Sequence, residues 1–120
     1  QLRKQSGGRD RWSGGSFIAA DGTVTRISND DFSLTPSFPW KSPVSGGEYP
    51  QRWALSVPSL KLEATVVPRL KDQELRLSPI VYWEGSISVS GARKGLPVHG
   101  LGYLEMTGYA GRVVGVQAGE

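Results

Sequence analysis

The chain has 120 residues and a net charge of +3, enough length for one domain with a modest core. It contains no Cys and a single His, His99, which excludes disulfides, thiol catalysis and multi-histidine zinc sites. The basic residues Arg3, Lys4, Arg9, Arg11 and Arg26 lean to the N-terminal end but form no dense stripe with interleaved aromatics, so nucleic acid is not an expected partner. No apolar run approaches membrane-spanning length, and no residue set implies a cofactor or a metal.

In chain order, Gln5 to Gly15 is polar and Gly-rich and reads as a loop. Ser16–Ala20 and Thr23–Ser28 flank Asp21-Gly22, a two-residue hairpin signal. Asp30-Asp31 lacks the other ligands of a calcium loop and reads as a turn. Asp31 to Thr35 is a third short strand. Pro36 to Pro50 holds four prolines and two glycines, and reads as a long ordered loop that packs through Trp40 and Tyr49. Trp53, Leu55 and Val57 alternate on one side of a strand; after a Pro58-Ser59 turn, Leu60, Leu62, Ala64 and Val66 alternate against Lys61, Glu63 and Thr65. Asp72-Gln73-Glu74 is most simply a solvated turn; Arg112 to Val116 adds a last short strand.

The longest hairpin runs from Val81 to Gly91 and from His99 to Tyr109, and both arms have period two. A turn at Ala92–Gly95 pairs Tyr82 with Glu105 and Glu84 with Tyr103. Tyr82, Glu84, Tyr103 and Glu105 then share one face, and Val81, Trp83, Ile87 and Val89 meet Leu104 and Met106 on the other. A one-residue slip would destroy the cluster. No segment carries a sustained helical period. Seven to nine short strands predict an all-β fold, an antiparallel barrel or strongly bent sandwich with Trp53 and Trp83 in its core.

The order and spacing of several short motifs resemble the AttH/CrtC lipocalin-like family, which includes carotenoid 1,2-hydratase, kievitone hydratase, fungal pericyclases and predicted secreted hydrolases. They are Ser13-Gly14-Gly15-Ser16, Asp30-Asp31-Phe32, Trp40-Lys41-Ser42-Pro43, Tyr49-Pro50 with Trp53, Asp72-Gln73-Glu74, Tyr82-Trp83-Glu84-Gly85 and Gly102 through Tyr109. The resemblance implies a lipocalin-like barrel and a periplasmic or secreted location. It also implies that residues 1–120 are the C-terminal half of a two-domain protein whose N-terminal sister domain is missing; the opening Gln-Leu-Arg resembles the tail of a strand. Within such a motif, Asp72-Gln73-Glu74 would instead fix the geometry between strands.

Two function classes follow. In the first, the chain is part of a hydratase, hydrolase or carrier for a small apolar molecule. Glu84 and Glu105 are then the candidate acid and base, because apolar surroundings can keep one carboxyl protonated. Trp40, Tyr82, Tyr103 and Tyr109 are the candidate ligand contacts. In the second, the chain is a non-catalytic module that docks its sister domain or an export-system partner. A structural or interface role for the two Glu outweighs the catalytic one by roughly two to one, since structural networks also perturb carboxylates. His99 is expected at the surface.

Overall fold

The computed structural model describes residues 1–111, so the strand expected at Arg112–Val116 lies outside the described residues. Eight strands follow in order: β1 (Gly15–Ile18), β2 (Val24–Ile27), β3 (Ser33–Lys41), β4 (Glu48–Val57), β5 (Leu62–Pro68), β6 (Glu74–Leu77), β7 (Ile80–Arg93) and β8 (Leu96–Met106). Two short 3-10 turns, Asn29–Asp31 and Pro58–Leu60, are the helical elements among the described residues. No helix there is long and apolar enough to cross a membrane. The fold is all-β and antiparallel, as the period-two patterning requires.

β1 and β2 form a separate hairpin. It closes through Gly22 N–H to Ala19 O and Ala19 N–H to Thr23 O, so its loop has three residues rather than the expected two. Gly22, at φ 87°, supplies the left-handed residue that ends such a loop. The remaining strands form one sheet in the order β3-β4-β5-β7, with β6 also on the β5 side of β7 and β8 on its other side. No ladder joins the edge strands β3 and β8, so the sheet curls without closing into a barrel.

The Pro-rich stretch is not one long loop; its two ends are strand, joined by a short loop at 42–47. Pro36 pairs with Trp53, Pro39 with Pro50, and Trp40 with Tyr49. Proline lacks a ladder donor, and an edge strand has one side that needs none. β3 is that edge strand. The irregularity is confined to Phe38, at φ 52°, which the ladder skips.

The inner face holds the core: Tyr49, Trp53, Val66, Trp83, Ile87 and Met106, with Leu34, Trp40, Val89, Leu104 and Tyr109 packed against it. Trp83 and Tyr49 are fully buried and Trp53 nearly so. The indole N–H of Trp83 donates to Lys71 O at 2.8 Å, which satisfies its polar edge. Opposite Ile87 and Val89, β8 carries Gly102 and Gly100. A Cβ on Gly102 would come within 3.2 Å of the Ile87 side chain, so the missing side chain there gives Ile87 its room. The Cα radius of gyration is 16.2 Å, against about 13.6 Å for a compact domain of this length. A single curled sheet with a small core has that extended form.

Candidate functional site

The long hairpin turns at Lys94-Gly95, one residue later than the centre of the expected turn, so that Arg93 pairs with Leu96. Both loop residues have positive φ, 51° and 77°, the tight hairpin geometry that suits the right-handed twist of the strands and that Gly95 adopts freely. The register therefore moves by two positions. Glu84 faces Glu105 and Ser86 faces Tyr103, instead of the expected Tyr–Glu pairs. A two-residue shift preserves faces, so Tyr82, Glu84, Tyr103 and Glu105 still form one group. The two carboxylates are directly opposed and the tyrosines are their diagonal neighbours.

This group lies on the outer face, away from the core. Tyr82 and Glu84 are half-buried, while Tyr103 and Glu105 are exposed. Desolvation raises the Tyr82 hydroxyl above its ordinary value, with the Glu84 charge adding to the effect, and the same two causes raise Tyr103. His99 is exposed on the same face, opposite Ser90.

The inner face carries a cleft of about 510 Å³, in the size range of small-molecule sites. Its apolar wall is Leu34, Trp53, Leu104 and Met106, and residues Gln1–Gln5 pass across it as a strap. Arg3 anchors the strap: its guanidinium lies 3.7 Å over the Tyr109 ring and donates to Thr107 O at 3.0 Å. Burial raises the Tyr109 hydroxyl, and the Arg3 charge opposes it. The indole nitrogen of Trp53 is buried without a hydrogen-bond partner among the described residues. Tyr109 is the ligand candidate that lines this cleft, and Glu105 reaches its rim because β8 is an edge strand. Trp40 does not line it; it is half-buried and stacks on Tyr49 with centroids 6.2 Å apart. Tyr82 and Tyr103 stand on the opposite face. The six candidate residues are thus divided between two surfaces.

A cluster that sequence reading missed supports the cleft from behind. Tyr49 packs between Trp40 and Tyr109, 5.7 Å from the latter ring. Below it lies Glu74, whose side chain has no solvent exposure. Its carboxylate accepts from Ser42 Oγ at 2.8 Å, Ser45 Oγ at 2.5 Å and Arg76 Nε at 2.8 Å. Burial pushes the Glu74 carboxyl up, but the hydrogen bonds from Ser45, Ser42 and Arg76, with the nearby Tyr49 hydroxyl, outweigh it and hold the carboxyl below its ordinary value. The Tyr49 hydroxyl is pushed up to about 12, chiefly by burial and then by Glu74. It is near enough to feel that carboxylate but not aligned for a well-formed hydrogen bond.

Asp72-Gln73-Glu74 is therefore not a solvated turn; it ties β6 to β7. Gln73 Oε1 accepts from Ser86 N–H at 2.9 Å, and Gln73 Nε2 donates to Leu70 O and Ser86 O. Gly85 leaves the space this needs, since a Cβ there would sit 2.0 Å from Gln73 Oε1. The carboxylate of Glu74 has a full set of donors, which is the arrangement of a buried structural anion. Asp30-Asp31 is a turn as expected, with Asp31 accepting from Ser28 N–H at 2.7 Å. Among the described residues, no group of three or more His, Asp or Glu is placed to hold a metal.

The family whose members are described as AttH-like matches residues 1–109. The chain belongs to the AttH-like family. Among solved structures it is similar to an AttH from Nitrosomonas europaea, with 29% identity and a TM-score of 0.75 over 91% of this chain and 33% of that one. It also shares its fold with kievitone hydratase from Nectria haematococca, at 22% identity and TM-score 0.67, over 78% of this chain and 29% of that one. The chain thus spans about a third of the length of the solved proteins it matches. No curated protein matches it.

Proposed function

We propose that this lipocalin-like domain of the AttH-like family binds the apolar part of a small molecule on its inner face, within a longer protein of hydratase or hydrolase type. The observation that carries this reading is the cleft against Leu34, Trp53, Leu104 and Met106. Its wall is apolar and already formed, its strap is polar, and a buried indole N–H in its lining lacks a partner among the described residues. The fold shared with a hydratase supports the class of protein and not the substrate. A periplasmic or secreted location belongs to the same proposal, on family resemblance alone.

Turnover is not expected of residues 1–120 by themselves, because the cleft is open and water-filled chemistry on an apolar substrate needs a closed site. Glu105 stands at the rim and Glu84 beyond it, so an acid–base role for the pair would need further chain to cover them. The binding test uses N-phenyl-1-naphthylamine, a neutral apolar fluorophore, titrated into the chain. Saturable enhancement is expected. Leu104→Trp, which fills the cleft, should weaken binding about tenfold, and Leu101→Ser on the outer face should leave it unchanged. Binding that survives Leu104→Trp but is lost in Leu101→Ser would move the site off the inner face.

A further inference from the structure

The outer face of the sheet carries exposed apolar side chains among its serines and carboxylates. Register places Leu77 opposite Ile80 and Leu75 opposite Tyr82, and sets Val67, Ser88 and Leu101 in one row across β5, β7 and β8. Leu77 is 59% exposed, Ile80 47%, Tyr103 67% and Leu101 75%. Scattered apolar side chains are ordinary on a surface, but a contiguous field of them marks a contact. Ser86 and Ser88 stand between Leu77 and Ile80 at one end of the face and Leu101 at the other.

In the same field Glu84 and Glu105 are directly opposed. Like charges facing each other across a ladder destabilise the pair. Among the described residues neither takes part in an ion pair; the two ion pairs there join Arg76 to Asp72 and to Glu74. Two carboxylates flanked diagonally by two tyrosine rings match the needs of a guanidinium, which bonds carboxylates through a planar fork and stacks on aromatic faces.

We infer that the outer face docks another domain of a longer polypeptide, and that an arginine of that domain sits between Glu84 and Glu105, flanked by Tyr82 and Tyr103. The occupant is not a second copy of this chain. A two-fold contact over this face would bring acidic centre against acidic centre. A domain of the same polypeptide has the size to cover this face, since about two-thirds of the similar AttH chain lies outside the region matched.

The test compares amide hydrogen exchange of residues 1–120 alone with that of the full-length gene product. Residues 75–84 and 99–105 should exchange at least tenfold more slowly in the longer protein, while β1 and β2 change little. The longer protein is then made as two pieces that reassemble. Leu101→Ser with Tyr103→Ser should weaken reassembly at least tenfold. Glu84→Gln with Glu105→Gln should weaken it comparably and flatten its salt dependence. Circular dichroism confirms folding of each variant, which is expected because all four side chains lie outside the core. Equal exchange in the two proteins, reassembly unaffected by Leu101→Ser with Tyr103→Ser, or concentration-dependent self-association of residues 1–120 through this face would overturn the inference. Weakening by the apolar pair but not by the carboxylate pair would overturn the seated arginine.

Discussion

Replacing Glu74 by Ala tests whether the buried carboxylate organises the fold. The change removes the acceptor for Ser42 Oγ, Ser45 Oγ and Arg76 Nε at once. Ser42 is 1% exposed, so water cannot readily replace the lost partner, and an orphaned buried donor costs about 1–3 kcal/mol. Hydrogen bonds to a charged group contribute about 1.5–3 kcal/mol each, and part of this is offset because the variant no longer desolvates a carboxylate. Arg76 is more than a third exposed and regains water, so its loss counts for little. The net expectation is a loss of about 3 kcal/mol, read from urea midpoints at constant slope. The acid limb gives an independent check. The folded-state carboxyl lies below its ordinary value of 4.5, so its contribution is full above that pH and is lost as pH falls through the folded value. Glu74→Gln should therefore flatten the fall in stability below about pH 4.5. A Glu74→Ala variant within about 0.5 kcal/mol of wild type, with an unchanged acid limb, would refute the reasoning.

Trp83→Ala should cost about 3–5 kcal/mol in the same assay, the range for a large aromatic removed from a core. Gly85→Ala should destabilise by about 2 kcal/mol, because the new methyl group expels the Gln73 amide and breaks its bonds to Ser86; Gln73→Ala in the same background should add little, since the two changes break the same contacts. Tyr49→Phe should flatten the alkaline limb. A hydroxyl raised from 10.0 to about 12 contributes stability below pH 10 that is lost as pH rises toward 12, and the phenylalanine variant lacks that component. Lys94→Asn should raise the melting temperature slightly, by the equivalent of about 0.5 kcal/mol, since Asn accepts the positive φ that Lys94 holds at 51°.

What could be read in advance was whatever repeats locally. Period two in β7 and β8 fixed their faces, and the Tyr/Glu group survived a turn placed one residue early, and so a register off by two, because strand faces depend on parity rather than on exact pairing. Trp53 and Trp83 were legible as core for the same reason. Pro36 and Pro39 misled because proline speaks against a ladder in general, whereas its cost depends on whether a strand is an edge, and edge position is a property of the whole sheet. The inner network was hidden more deeply. Ser42 and Glu74 are separated by 32 residues and Tyr49 lies on a third element, so no local pattern shows that they meet. Read singly, Ser42 is a polar residue beside a proline and Glu74 a charge in an acidic turn. The signal that did exist was Gly85. Mid-strand glycine is unfavourable unless something comes close, and the neighbour that comes close is the Gln73 side chain. From that contact the Asp72-Gln73-Glu74 segment must lie against β7, which carries Glu74 toward the core side of the sheet beside Trp83. A buried carboxylate then requires donors, and the serines of Trp40-Lys41-Ser42-Pro43-Val44-Ser45 supply them. The same logic separates the chain's two surfaces. Glu74 faces inward and accepts from buried serines, so it serves the fold, whereas Glu84 and Glu105 face outward with no ion-pair partner among the described residues.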